Sequence, residues 1–506
     1  MIYTYQHLTK NKTYQTDVCI IGSGAGGSAA AATLSSAGLK VILIEAGDYL
    51  MPKDFNQREE SMYPKLFYEA GGRRTNNRAL RVIHGHGVGG STLHNINLCK
   101  KLPKEILDSW NLKNFTQKSF GTDLEQVEKD LQVQKVAPDQ MNEANLIFQK
   151  GVNKLGYRGG PLSHNRVGCK ESGFCELGCS FNAKMNAVRV YIPSAVKNQT
   201  KVFSNTKGIN FTFKNKSVQS LEAKVIHPEN KKIVSKIKIK ARFFVASGGA
   251  IETPLLLQRS NTPDPHSLIG KKLHLHPGVV ALGVFPNQIN CWRGIPQSFE
   301  CTEFLSFNKN HHDKRVWLIT SSAHPIGAAS IVPGFGNTHR DLMAKYPYIV
   351  PVTPMIHDLT TGSVSTKLGG GASIDYTLNN ADRAQLGIGL KESARILFAA
   401  GAKEVLIPTR RPLILKNMSD LKRHDFVVND HENDMVAVHP MSTVWMGDSP
   451  KSSCLDSTGK YHHVKNLYVA DASVYPTSLG VPPQISTYAI GHFVAKRILD
   501  SLPRKV

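Results

Sequence analysis

Hydrophobic residues near the start of the chain fall into two short runs separated by small residues. Val18-Cys19-Ile20-Ile21 is the first, Gly22-Ser23-Gly24-Ala25-Gly26-Gly27 interrupts it, Ala29 to Ala37 is rich in alanine, and Val41-Ile42-Leu43-Ile44 ends at Glu45. Apolar runs punctuated by glycine in this way predict strand, tight turn, helix, strand. From Val202 to Val245 short alternating segments separated by Asn, Gly and Pro predict a β-meander. Within it Lys231, Lys232, Lys236, Lys238 and Lys240 alternate with Ile233, Ile237 and Ile239, the pattern of a strand with one solvated face. Phe243-Phe244-Val245-Ala246 then runs into Ser247-Gly248-Gly249, and a helix is expected with Pro254 in its first turn. Helical spacing covers Asp123 to Gly156 and Ala381 to Ala400. Between Val279 and Thr377 strand-like positions mixed with Gly and Pro predict a separate antiparallel sheet. The chain closes on a strand ending at Ala470-Asp471 and a helix over Ile485 to Leu499.

The glycine turn carries the first chemistry. Gly22 permits the turn, Gly24 lets backbone approach a pyrophosphate, Gly27 lets the helix pack on the strand, and Glu45 ends the second strand where a ribose hydroxyl needs an acceptor. The helix terminus after Gly24 favours negative charge through its unpaired N–H groups and its dipole. A bound dinucleotide is therefore expected.

At 506 residues the chain exceeds the size of one hydrophobic core, so two joined domains are the default. The formal net charge of +23 invites a nucleic-acid reading, but the lysines are scattered and no nucleic-acid motif accompanies them. A solvated surface comes first, attraction to an anionic membrane second, and nucleic acid is disfavoured. No window approaches the roughly 20 apolar residues of a membrane span. Met1 to Gln15 contains no apolar signal core, so a cytoplasmic location, with peripheral membrane contact as an option, is expected. Three of the eight cysteines cluster, at Cys169, Cys175 and Cys179. A structural loop is favoured, with a strained disulfide as one way to close it. No metal site is assigned, because a fourth ligand is not evident nearby and neither gap is two residues.

Four segments together resemble the glucose-methanol-choline (GMC) flavoprotein oxidoreductases, nearest the long-chain alcohol and sterol oxidase branch. They are the glycine fingerprint ending in Glu45-Ala46-Gly47; Gly85-His86-Gly87-Val88-Gly89-Gly90-Ser91-Thr92-Leu93-His94-Asn95; Ala250-Ile251-Glu252-Thr253-Pro254; and His439-Pro440-Met441-Ser442-Thr443-Val444-Trp445-Met446-Gly447 leading into the tail. The resemblance implies an α/β fold in which a Rossmann-like three-layer FAD-binding domain is interleaved with an α+β substrate domain built on an antiparallel sheet. Residues 14–100, 190–278 and 435–506 are assigned to the first, and 101–189 and 279–434 to the second. It also implies FAD as cofactor, held by the fingerprint, by Gly89, Gly90, Ser91, His94 and Asn95, and by Ala470, Asp471 and Pro482. Asp471 matches the acid that bonds the ribityl chain, although a turn-capping Asp is the plainer reading.

Oxidising an alcohol removes a proton from oxygen and a hydride from carbon, so a base is needed beside the flavin. His439 falls at the family's catalytic histidine and is expected to be that base. A lone histidine before proline is more often structural, and the surrounding motif reverses that. The chain departs from the family at the second catalytic position, where Asn or His is usual and Gly480-Val481-Pro482-Pro483-Gln484 stands instead. Proline offers no side-chain donor or acceptor, which leaves Gln484 as a substitute or His439 alone. His94 falls where some members attach their flavin covalently, and a linkage there is one expectation, a noncovalent pocket histidine the other. A hydrophobic primary or secondary alcohol is expected as substrate, with a sugar or polyol as runner-up, and oxygen or another electron acceptor closes the cycle. A non-redox or photochemical flavoenzyme and a degenerate flavin-binding protein are the alternatives from other classes.

Overall fold

A computed structural model describes residues 1–311 and 313–503. The first apolar run lies in strand β1 (Lys12–Ile21), the alanine-rich segment is helix α1 (Ala25–Ser36) and the second run is strand β2 (Val41–Ile44). Three strands follow much later, β3 (Lys201–Phe203), β4 (Thr206–Lys214) and β5 (Ser217–Ile226). Next come the long strand β6 (Ile233–Ala246) and helix α2 (Gly249–Arg259), and the tail supplies strand β7 (Leu467–Val469) and helix α3 (Gln484–Asp500). They build one sheet in the order Ile2–Tyr3, β3, β2, β1, β6, β5, β4, with β7 also paired to β6.

Strand β6 holds this sheet together because it changes partners along its length. Its carboxyl half runs parallel to β1, with Val245 opposite Ile20, and parallel to β7, with Val245 opposite Tyr468. Its amino half turns antiparallel to β5, which pairs with β4 as the expected meander. Residues Val18 to Ile20, Val41 to Ile44 and Phe244 to Ala246 are buried, as strands covered on both faces require. Helices α1 and α3 pack against one another over this parallel part.

The second sheet is antiparallel and runs Leu413–Leu415, Glu404–Ile407, Ala281–Val284, Ile349–Ile356, Val316–Thr320, Phe299–Cys301, Gly159–Pro161. The helix Asn380–Ala400 covers it, with Leu386, Leu390, Ala394 and Leu397 buried in the shared core. The Asn379 side chain caps that helix by accepting the Asp382 N–H, and Gly401 ends it at φ +111°. The chain is thus a mixed α/β protein with a parallel-cored sheet and a separate antiparallel sheet.

Three sequence expectations change. The helical stretch from Asp123 to Gly156 is two helices, Gln117–Asp130 and Glu143–Lys154, parted by Gln132 in a left-handed conformation, the strand Val133–Lys135 and Pro138. Helix α2 starts at Gly249, which puts Pro254 inside it rather than in its first turn. Proline leaves the carbonyl of Ala250 without its helical donor, and the Thr443 hydroxyl takes that place at 2.7 Å. Finally, Cys169, Cys175 and Cys179 are free thiols, so no disulfide closes their loop. The Lys184 ammonium organises it instead, donating to the carbonyls of Leu93, Asn95 and Cys175. Burial pushes that lysine down to about 8.

Candidate active site

Gly22 sits at φ +104°, and a Cβ there would lie 2.2 Å from the Ser247 carbonyl oxygen. The turn after β1 therefore requires glycine. Gly24 caps α1 without any side-chain bond, and a Cβ there would meet no protein atom within 4 Å. The helix terminus consequently faces open space on the side where an anion would lie. Gly27 is opposite in character, since its Cβ would fall 2.0 Å from the Gly22 carbonyl oxygen.

Glu45 is buried and accepts the Ser23 hydroxyl at 2.7 Å and N–H at 3.1 Å on one oxygen, and the Gly47 N–H at 3.1 Å on the other. The Ser23 hydroxyl oxygen in turn accepts the Gly89 N–H at 3.0 Å. This network fixes the Gly85 to Asn95 loop against the glycine turn, so Gly22, Gly24, Gly27, Glu45, Gly89 and Gly90 converge. The loop is further shaped by Gly89 at φ +106°, Gly90 at φ +53° and the Ser91 hydroxyl, which accepts the Gly85 N–H at 2.9 Å.

His94 and Asn95 follow. The His94 ring packs 4.2 Å from the Phe67 ring, centroid to centroid, and burial, with Lys184 nearby, pushes its pKa down to about 3. His94 Nε2, Asn95 Oδ1 and His84 Nδ1 are buried with no partner among the described residues. Orphaned buried atoms carry a cost that a ligand removes. Asn95 donates its amide to Gln484, whose own amide donates to Leu98 O at 3.2 Å and Asn165 Oδ1 at 3.1 Å. Gln484 is thereby occupied in holding Asn95, at the first residue of α3.

Ala470 bonds through its N–H to Ala246 O, carrying β7 into the site. Asp471 takes the turn-capping role read from the sequence. One oxygen accepts the Ser473 N–H and caps the short turn Ala472–Val474; the other accepts Gly249 N–H at 2.8 Å and the Thr253 hydroxyl at 2.6 Å. Three of about four acceptor positions are used, and one remains for a ligand hydroxyl. Burial raises this carboxyl despite those donors. Pro482 is buried ahead of α3.

His439 is partly buried, and burial pushes its pKa down to about 4 against the pull of Asp358. It is a neutral imidazole at physiological pH. Its neighbour is a residue that the sequence pattern did not single out: His276 Nδ1 lies 3.3 Å from His439 Nδ1, with the rings nearly perpendicular. His276 Nε2 accepts the Gly480 N–H at 2.9 Å. Behind it the buried Asp358 accepts the Ser478 hydroxyl at 2.6 Å, the Tyr376 hydroxyl at 2.7 Å and the Leu275 N–H at 2.9 Å. Only the Leu273-His274-Leu275-His276 alternation hinted at this cluster, and alternation alone reads as a strand.

A glycine-turned nucleotide cradle, orphaned buried atoms on the 84–95 loop and a neutral imidazole in the tail suit a dinucleotide-dependent enzyme. The chain belongs to the GMC oxidoreductase family, whose amino-terminal model matches residues 16–278 and whose carboxyl-terminal model matches residues 370–491. It is 29% identical over 518 residues to the long-chain-alcohol oxidase FAO3 of Arabidopsis thaliana, covering 96% of this chain and 68% of that one. It is 27% identical to FAO1 of the same plant, over 97% and 67% of the two chains. Among solved structures, pyridoxine 4-oxidase from Mesorbium loti superposes with a TM-score of 0.73 at 18% identity, over 96% of this chain and all of the other. The chain is thus a GMC-type FAD oxidoreductase, a class that acts on CH–OH donors, and the residues present fit that cofactor.

Proposed function

We propose that this protein oxidises a hydrophobic alcohol, long-chain or sterol-like, to the aldehyde or ketone. Bound FAD would supply the hydride acceptor. His439 would engage the carbinol hydroxyl, Asp471 and Glu45 would hold sugar hydroxyls of the cofactor, the α1 terminus would take its pyrophosphate, and the positive end of α3 would favour negative charge beside it. Oxygen or another electron acceptor would complete the cycle. A bond from His94 to the flavin is part of the proposal, and the orphaned Nε2 supports it.

The observation that carries the choice of substrate is an apolar cluster that reaches, through Phe307, the Gly480 backbone that donates to His276. Leu98, Leu162, Leu305, Trp317, Ile319 and Met355 are buried together, with Phe307 against them. Leu98 adjoins the Gln484 anchor, and Phe307 lies against Gly480, the donor to His276. A hydrocarbon chain is suited to such a wall, and the names of the plant relatives agree with it.

The basic surface bears on where such an alcohol is met. On β4, β5 and β6 Lys207, Lys224 and Lys236 stand directly opposite one another, a like-charge row that an anionic partner relieves. No described helix is long and apolar enough to cross a membrane. Peripheral contact with anionic lipid through this row follows as a proposal; failure to cosediment with phosphatidylserine vesicles counts against the contact, and cosedimentation that survives replacement of these lysines by glutamine counts against the row as its site.

The test of the reaction is anaerobic titration of the flavoprotein with decanol, a sterol and glucose, followed by bleaching of the flavin band. Bleaching by decanol or the sterol is expected. Bleaching by glucose alone would replace the substrate class, and none with any alcohol would favour a non-redox or photochemical role.

A further inference from the structure

The histidine pair constrains more than position. A backbone N–H can only donate, so the 2.9 Å bond from Gly480 requires a lone pair on His276 Nε2. His276 is fully buried, and burial, opposed by Asp358 and reinforced by His439, His357 and His274, holds it well below its ordinary range. A neutral imidazole with a lone pair on Nε2 carries its hydrogen on Nδ1. That hydrogen points at His439 Nδ1, 3.3 Å away, which must accept it. The hydrogen of neutral His439 is then on Nε2, which has no hydrogen-bond partner among the described residues and is not one of their buried orphaned atoms, so it reaches accessible space.

We propose that His276 is a positioning residue that fixes His439 as the Nε2–H tautomer, so that His439 meets its ligand as a hydrogen-bond donor. The opposite tautomer would set a His439 Nδ1–H against the His276 Nδ1–H, and relieving that clash means breaking the Gly480 bond. Protonated His439 meets the same conflict. In the proposed reaction His439 therefore bonds the carbinol oxygen through its Nε2–H, and the hydroxyl proton passes to water. The base role expected from the motif becomes available only when His276 lets go of Gly480. The inference deepens the alcohol-oxidation reading, but it concerns ring nitrogens of the protein itself and can fail separately from it.

The test is nitrogen-15 NMR of histidine-labelled holoprotein without alcohol, with the two residues assigned by substitution. Opposite tautomers are expected, Nδ1–H at 276 and Nε2–H at 439. Matching tautomers, or Nδ1–H at 439, would overturn the proposal. Two variants separate tautomer control from a packing role. His276→Asn places an amide donor near the position of Nδ1, and asparagine suits the left-handed φ of +50° found there, so the His439 tautomer is retained. His276→Gln places its amide near Nε2, keeping an acceptor for Gly480 while losing the donor to His439. The Nδ1–H share of His439 should then rise about tenfold, the worth of one buried hydrogen bond. An unchanged ratio in the glutamine variant, or a rise of that size in the asparagine variant, would also overturn it. If a variant fails to fold, the wild-type measurement still decides.

Discussion

Replacing Gly24 by alanine separates what the glycine turn does for the fold from what it does for a ligand. A methyl at Gly24 meets no protein atom within 4 Å, and its φ of −64° is open to any residue. Losing glycine at a helix cap costs up to about 1 kcal/mol, and stiffening the unfolded chain returns about 0.4–1 kcal/mol, so stability should stay within about 1 kcal/mol of the parent. At Gly27 the same methyl would lie 2.0 Å from a backbone oxygen and 3.1 Å from Ser247 Cβ, so α1 must shift away from β1. Overpacking of that kind costs about 1–3 kcal/mol. If the open space at Gly24 receives a pyrophosphate, the methyl displaces it and at least one charge-assisted bond of about 1.5–3 kcal/mol is lost. That is roughly a ten- to hundredfold weaker Kd. Urea unfolding of the apoproteins and FAD fluorescence quenching, both in a His94→Ala background where no bond to the flavin can form, measure the two effects independently. Gly24→Ala should be stable and bind FAD poorly, while Gly27→Ala should unfold early. Wild-type FAD affinity in Gly24→Ala would refute the placement of the phosphates and with it the reading of the turn.

Acid-precipitated holoprotein should retain its yellow colour, and His94→Ala should release it; a colourless wild-type pellet means the flavin is not linked. The buried histidines make the apoprotein acid-sensitive: burial pushes His84 and His492 down to about 4 and His94 and His164 to about 3. Because these folded values lie below the ordinary 6.5, the unfolded chain binds more protons, and stability falls as pH drops below about 6.5. Each site gives up about 2 kcal/mol by pH 5, and urea midpoints that stay flat from pH 7 to pH 5 would contradict this. Arg315→Met leaves the Asp382 carboxylate buried without its cation and should cost about 3–5 kcal/mol in the same unfolding assay; a loss below about 1 kcal/mol would mean the pair is not buried as described.

Much of the nucleotide half was legible because its constraints are local. Gly22, Gly24, Gly27 and Glu45 are set by one turn and two strands, and the meander from Val202 declares its own period. The antiparallel sheet was legible only in its middle. Its outer strands, Gly159–Pro161 at one end and Leu413–Leu415 with Glu404–Ile407 at the other, are short, and pairing with strands distant in sequence sets them in the sheet. The start of α2 was misplaced because Thr443, nearly two hundred residues away, supplies the donor that Pro254 lacks. The same holds at the site. Motif order pointed to His439, but the residue beside it, His276, is brought there by the fold, and nothing in the spacing of 276 and 439 announces the contact. Gln484 stands nearest the altered motif, and the structure has its amide turned to Asn95, Leu98 and Asn165.

The central claim is that the imidazole at 439 stands over the reactive edge of a flavin. A crystal structure of the FAD-bound protein measures this directly. The account predicts electron density for the ring between the 89–95 loop and His439, with Nε2 within about 3.5 Å of the reactive nitrogen or of a bound alcohol oxygen. A ring bound elsewhere, or a His439 side chain turned into the packed interior away from it, would contradict the account.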